Sequence, residues 1–132
     1  MLSLFPEILF LTPFGPSILR IAAGIIFLLI AYTHFKRRDE LSKENFVVIG
    51  SGIWIPVLTA LVELTVGAGL VLGAYTQAAA IAGVLLSLKH FVWRNRYPRF
   101  FSLSRVTSAL LCAICLSLIL TGAGALAFDL PL

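Results

Sequence analysis

The sequence has few charged side chains and far more apolar residues than a soluble domain can bury. Only 12 % of its 132 residues are charged, whereas 60 % are hydrophobic, and the mean hydropathy is +1.03. A soluble domain of this size has too little interior for so many apolar side chains. The composition therefore excludes an ordinary soluble domain and predicts an integral membrane protein.

The sequence also lacks the short motifs of several catalytic and binding sites. It has no glycine-rich phosphate loop, no G-x-S-x-G motif, and no H-x-x-x-H or E-x-x-H spacing. No flavin, haem or iron–sulfur site is evident, and we predict no metal site. Within the apolar segments Glu63 is the only carboxylate, so an acid–base pair of carboxylates inside the bilayer is excluded.

Four apolar segments are long enough to cross a bilayer, since a spanning helix needs about 20 mostly apolar residues. None alternates like a barrel strand. We predict an all-α fold, a four-transmembrane-helix bundle with up-down-up-down order, forming one domain over residues 1–132. The predicted spans are about 17–35, 53–74, 77–93 and 103–127. Residues 1–16 lack a basic start and contain Glu7 and three prolines, which favours a short interfacial segment over a secretory signal.

Basic residues predict the orientation. Arg20 lies in the first span, and the other nine lie on one pair of connections: Lys36, Arg37, Arg38, Lys43, Lys89, Arg94, Arg96, Arg99 and Arg105. Cytoplasmic loops carry such an excess. We therefore expect both termini to be non-cytoplasmic, in a bacterial inner or plasma membrane. The pI of about 9.5 indicates attraction to anionic lipid rather than to nucleic acid.

Glu63 needs an explanation, because a charge deep in a span costs on the order of 3 kcal/mol. It lies on one face of the second span and should pair with a cation or be protonated. The candidates for a polar site around it are Arg20, His34, Lys36 and Arg105. Two interpretations stay open: a structural ion pair that fixes two helices, and a carboxylate that accepts protons or binds a ligand.

Small residues and a cysteine pair mark other helix faces. The small residues that we expect to pack helices closely are Gly24, Gly67, Gly69, Gly73 and Gly83. Cys112 and Cys115 are three residues apart and share a face. They form a possible redox pair, but their depth disfavours thiolate formation, and buried cysteine is commonly a small apolar residue.

The polar and small residues occur in a familiar order. The first span contains Arg20, Gly24 and Phe27, followed by Lys36. The next segment contains Glu63, Gly67, Leu70, Gly73, Thr76 and Ala79, and the chain closes with Gly122, Gly124 and Asp129. This set resembles the DoxX/DoxD-like family of small four-helix membrane proteins over about residues 18–129.

The resemblance implies a membrane subunit of a redox-linked complex. Some members resemble subunits of a thiosulfate:quinone oxidoreductase, and others are placed with sulfurtransferase partners. We therefore expect a subunit of a membrane oxidoreductase complex, with a soluble oxidoreductase or sulfurtransferase partner, self-association, and a quinone site near Glu63. The alternatives are a non-enzymatic membrane scaffold, a small-solute carrier, and a thiol oxidase that uses Cys112 and Cys115.

Overall fold

The computed structural model describes residues 10–101 and 103–128, which form five helices. These are α1 (Phe14–Lys36), α2 (Arg38–Leu41), α3 (Trp54–Leu72), α4 (Thr76–Trp93) and α5 (Arg105–Thr121). The all-α prediction is confirmed, since the described residues form no strand and only one isolated bridge, between Phe46 and Gly50. Asp129 and residues 1–9 of the predicted interfacial segment lie outside the described residues.

Two helices are long and apolar enough to cross a membrane by themselves. These are α1, with 23 residues, and α3, with 19. Helix α5 is apolar but has only 17 residues. Helix α4 has 18 residues and includes the polar Gln77, Lys89 and His90. Length and composition thus give two candidate membrane spans within the described ranges.

Two helix ends differ from the predicted bounds of the spans. Helix α1 begins at Phe14 rather than near residue 17, and Pro16 lies in its first turn, where a missing backbone N–H costs nothing. Helix α5 ends at Thr121 rather than near residue 127. Gly122 and Gly124 have φ angles of 80° and 78°, and this left-handed backbone cannot continue a right-handed helix.

Close backbone approach joins α1 to α3, the helix against which it chiefly packs. A Cβ at Gly24 would lie 2.9 Å from the Gly67 carbonyl oxygen and 2.7 Å from Val71 Cγ2. A Cβ at Gly67 would lie 3.0 Å from the Gly24 carbonyl oxygen. Any side chain at either position would separate the helices, as expected for small residues at a membrane helix contact.

Helix α4 packs chiefly against α5, and small residues again lie at the contact. A Cβ at Gly83 would lie 2.7 Å from Cys115 Sγ and 3.3 Å from the Phe27 ring, so α1 also reaches this point. At Gly69 the space is ordinary, with Ala79 Cβ at 3.4 Å. An apolar cluster between the helices includes Ala23, Phe27, Leu70, Leu111, Cys115 and Leu118.

One end of the bundle is closed by a second buried cluster, which we term the aromatic cap. It consists of Leu41, Phe46, Ile55, Tyr97, Phe100 and Phe101. The Phe46 ring lies 4.6 Å from the Tyr97 ring and 5.1 Å from the Phe100 ring, between centroids. The backbone N–H of Val47 donates to the Tyr97 hydroxyl at 3.2 Å. The loops after α2 and α4 are therefore packed together over the helix ends.

The other end is closed by the segment after α5, which returns to the start of α1. The backbone N–H of Ala125 donates to the Pro13 carbonyl at 3.1 Å, and the Arg20 guanidinium donates to the Leu126 carbonyl. Gly73 ends α3 with a φ of 71°, and a Cβ there would overlap the Arg20 guanidinium. Gly73 thus provides both the left-handed turn and the room for Arg20.

Candidate functional site

Glu63 lies at the centre of a buried hydrogen-bond network that joins three helices. Its Oε2 is 2.5 Å from Nδ1 of His34 on α1, and its Oε1 is 3.0 Å from Nε2 of His90 on α4. The exposed fractions of Glu63, His34 and His90 are 0 %, 2 % and 1 %. We term these residues the His–Glu–His network. Both oxygens of the carboxyl group therefore have imidazole partners, as buried polar groups require.

The hydrogen bonds of His34 limit where its protons can lie. Its Nε2 is 2.8 Å from the carbonyl oxygen of Phe100. A carbonyl oxygen only accepts, so His34 Nε2 must carry a hydrogen. The bond between Nδ1 and Glu63 Oε2 then contains one proton, which lies either on the imidazole or on the carboxyl group. Both placements give the same proton count and, with a neutral His90, no net charge.

His90 retains one nitrogen without a hydrogen-bond partner. Its Nε2 lies 3.0 Å from Glu63 Oε1 and donates to it when that oxygen carries no hydrogen. Its buried Nδ1 meets no acceptor or donor among the residues that the structure describes. In the neutral ring this Nδ1 keeps a lone pair. A second proton taken up there would give the network a charge of +1. The arrangement can therefore hold one proton in an uncharged state and has a basic nitrogen for another.

The aromatic cap seals the network from the end of the bundle. The His34 and His90 rings are stacked at 5.8 Å between centroids. The Phe100 ring lies 4.9 Å from His34, and the Phe101 ring meets His90 edge-on at 5.1 Å. Because apolar rings surround the imidazoles, the network lies in a low-dielectric environment, where a hydrogen bond to an ionised group is strong.

An apolar cavity of about 140 Å³ borders the cap. It is lined by Phe46, Ile49, Ile55, Thr59, Lys89, Trp93, Phe100 and Phe101. Lys89 is the one charged residue among the described lining residues, and its ammonium lies 5.6 Å from the Phe101 ring centroid. The phenylalanines that contact the two imidazoles therefore also line this cavity.

Of the residues predicted to surround Glu63, the structure brings only His34 to it. Arg20 is buried at the far end of α1, about 21 Å from His34 along the helix. The Lys36 ammonium lies 6.0 Å from the Tyr32 ring centroid, and the Arg105 guanidinium lies 6.0 Å from the Phe91 centroid. Arg20, Lys36 and Arg105 therefore lie against other groups and not against Glu63.

His90 is the network residue that the sequence reasoning did not place in the site. It shares a helix face with Gly83 and Ser87, and all three are buried. The available signal was that the sequence contains only two histidines and that both fall near the same predicted membrane boundary. Residues 10–101 and 103–128 contain no group of three or more His, Cys, Asp or Glu side chains arranged to hold a metal ion.

The two cysteines are unbonded. Cys115 is fully buried beside Gly83, where its sulfur fills the contact between α4 and α5, and Cys112 is half-buried. Cys115 therefore acts as a small packing residue in this structure. The redox pair stays a prediction.

Comparison with known families extends this description. A model of the DoxX family matches residues 15–94, which is more than half of the chain. The chain belongs to the DoxX family. No curated protein and no solved structure matches it. The match contains His34, Glu63 and His90 and ends one residue after α4. The family match and the apolar helices together indicate that this DoxX protein is a membrane protein associated with the lipid bilayer.

Proposed function

We propose that this DoxX protein crosses the bilayer four times, in up-down-up-down order. Contacts support alternate directions: Arg20 near the start of α1 lies at Gly73 after α3, and the Phe91 ring near the end of α4 faces Arg105 at the start of α5. At 1.5 Å per residue, α5 is about 26 Å long, slightly less than the hydrocarbon thickness. Local thinning of the bilayer accommodates such a mismatch.

The proposed orientation has the aromatic cap on the cytoplasmic side and both termini on the other side. Nine of the ten basic residues lie between Lys36 and Lys43 or between Lys89 and Arg105, that is, from the end of α1 to just past α2 and from the end of α4 to the start of α5. The positive-inside rule assigns that end to the cytoplasm. The His–Glu–His network then lies below the cytoplasmic surface of the membrane, beneath the cap.

The proposed function is that of a proton-exchanging membrane subunit in an oxidoreductase complex. The observation that carries it is the buried network itself, in which each Glu63 oxygen meets an imidazole nitrogen and His90 Nδ1 has no hydrogen-bond partner among the described residues. Intramembrane ionisable residues that face the bundle interior commonly mark proton pathways. Electrons would come from a partner protein, since this chain has only two cysteines and no evident cofactor motif.

A quinone is the proposed reaction partner of the complex. Reduction of a quinone to a quinol takes two electrons from the partner protein and two protons, and the network is suited to deliver protons singly. The cavity of about 140 Å³ is mostly apolar, and its described lining includes the polar Thr59 and Lys89, whose ammonium suits a carbonyl oxygen. It is smaller than ordinary ligand pockets of about 300 Å³ or more. Only a ring-sized headgroup would fit, with its tail in the lipid.

The test is quinone retention and partner recovery in matched variants. The protein is purified from native membranes in mild detergent, and bound quinone and co-purifying proteins are quantified. We expect quinone in the wild type, its loss in Lys89→Gln, and a quinone-loaded but inactive complex in Glu63→Gln. Asp39→Asn, an exposed carboxylate outside the spans, is the control. Equal quinone content in wild type and Lys89→Gln would contradict the cavity assignment.

A non-enzymatic scaffold is the second candidate, favoured by the fact that Glu63 ties α1 to α4 across α3. In that case the network only fixes the helices, and partner binding depends on the basic loops. Glu63→Gln would then leave the activity of the partner complex unchanged. Charge removal at Arg37 and Arg38 would release the partner. Activity in Glu63→Gln therefore distinguishes the two functions.

A further inference from the structure

A cationic cleft opens beside the aromatic cap, apart from the His–Glu–His network. Its volume is about 350 Å³, and its lining residues are Arg37, Glu40, Leu41, Lys43 and Arg99. Three cations and one carboxylate give the lining a formal charge of +2, that is, three minus one. The cations come from both ends of α2 and from the loop after α4, so folding brings them together.

Glu40, the single carboxylate among the described lining residues of the cleft, is already paired. Arg37 donates from its Nε to Glu40 Oε2 at 3.1 Å. This bond leaves the two terminal nitrogens of Arg37 without a hydrogen-bond partner among the described residues, and neither Lys43 nor Arg99 forms an ion pair there. The cleft thus presents two cations, Lys43 and Arg99, that no described carboxylate neutralises, together with the two terminal nitrogens of Arg37. Guanidinium groups match the geometry of phosphate oxygens.

An exposed apolar loop adjoins the cleft. Val47, Val48 and Ile49 are 74 %, 83 % and 50 % exposed, and the paired backbones of Phe46 and Gly50 close the loop. Leu41 connects the two features, because it lines the cleft and packs in the aromatic cap with Phe46. Exposed aliphatic residues beside cationic ones are typical of segments that lie in a membrane interface.

We propose that the cleft binds the phosphate of an anionic phospholipid, with the loop at residues 47–49 inserted among the acyl chains. The positive charge of the cleft favours an anion, and its two arginines, Arg37 and Arg99, favour a phosphate among the anions. The apolar loop favours a lipid phosphate over a soluble phosphate, because the loop gives the acyl chains of the lipid a surface to contact. This site is independent of the proton chemistry proposed for Glu63.

The experiment measures phosphatidylglycerol binding by the full-length protein in mixed micelles, with phosphatidylcholine as the neutral reference. Retained lipid is counted by native mass spectrometry, and the shift in Tm is recorded. The cleft variant changes Arg37, Lys43 and Arg99 to Gln. The control variant removes the same charge outside the cleft, at Arg94, Arg96 and Arg105. We expect phosphatidylglycerol to bind at least about tenfold more weakly to the cleft variant, and the control to resemble the wild type.

Further variants and ligands distinguish a lipid phosphate from a soluble phosphate and control for misfolding. Arg99→Gln alone, at a side chain with no described hydrogen bond, should weaken binding without lowering the Tm in phosphatidylcholine. Replacement of Val47, Val48 and Ile49 by Ser should also reduce retention of phosphatidylglycerol. An equal Tm shift with sn-glycerol 1-phosphate would overturn the lipid assignment. Equal loss in the cleft and control variants would overturn the site, as would loss of a co-purifying protein with lipid retention unchanged.

Discussion

Replacement of Glu63 by Gln should preserve the hydrogen bonds of the network while removing its exchangeable proton. The Gln oxygen can accept from His90 Nε2, as Glu63 Oε1 does. The Gln NH₂ group can donate to His34 Nδ1, which has a lone pair because Nε2 keeps its hydrogen on the Phe100 carbonyl. Each lost hydrogen bond costs about 0.5–1.5 kcal/mol. With both retained, we expect Glu63→Gln to lower the free energy of unfolding by less than about 1.5 kcal/mol.

Replacement of Glu63 by Ala should be much more costly. It leaves His34 Nδ1 and His90 Nε2 buried without a partner, at about 1–3 kcal/mol for each unsatisfied group. The expected loss is therefore about 2–6 kcal/mol, before any cavity is counted. Asp39→Asn and Asp39→Ala, at an exposed carboxylate in α2, give the matched control, and both should change the free energy by less than about 0.5 kcal/mol.

The assay is reversible unfolding in mixed detergent micelles, followed by the fluorescence of the two tryptophans. The decisive quantity is the difference between the Gln and Ala variants. If Glu63→Gln destabilised the protein as much as Glu63→Ala, the amide would not be replacing the carboxyl group. The description of the network as neutral, with two hydrogen bonds to Glu63, would then be refuted. We would conclude instead that the fold requires a charge on Glu63.

Three further predictions follow from the same contacts. Gly24→Val should cost about 1–3 kcal/mol of unfolding free energy by overpacking the contact with Gly67, whereas Gly15→Ala, with no atom within 4 Å of the added Cβ, should be neutral. His90→Gln should keep the donor to Glu63 and leave the stability within about 1 kcal/mol of wild type. The same change should slow quinol formation by the reconstituted complex at least about tenfold, and an unchanged rate would exclude His90 as a proton carrier. A reporter that is active only in the cytoplasm should work when inserted at residue 44 and fail when fused after residue 128, and the opposite result would reverse the orientation.

The positions of the helices along the chain were predicted better than the shift of each helix along its neighbours. Each of the four apolar runs corresponds to a long helix, whose ends lie within about six residues of the predicted bounds. The early end of α5 follows from Gly122 and Gly124. Helix α2 and the aromatic cap were not predicted, since they depend on contacts between loops distant in sequence.

The site was predicted only in part for a related reason. Spacing assigns each polar residue to a face of its helix, so Glu63 and His34 were both candidates. Spacing does not determine how far one helix slides along another, which depends on packing of side-chain ridges. Arg20 therefore stayed a candidate although it lies at the opposite end. His90 was not among the candidates, because its pairing with Glu63 depends on how α4 docks.

The hydrogen bond between His34 and Glu63 has a consequence for membrane insertion during synthesis. The two residues are 29 positions apart, and His90 follows Glu63 by another 27. Chains emerge from the ribosome N-terminal end first. When α3 enters the bilayer, its carboxyl group already has a partner in α1, and the pair shares one proton without net charge. The hairpin of α1 and α3 thus avoids most of the roughly 3 kcal/mol that an isolated charge would cost at that step. When α4 inserts, His90 adds the second imidazole to the uncharged pair of His34 and Glu63, which the hydrocarbon already tolerates.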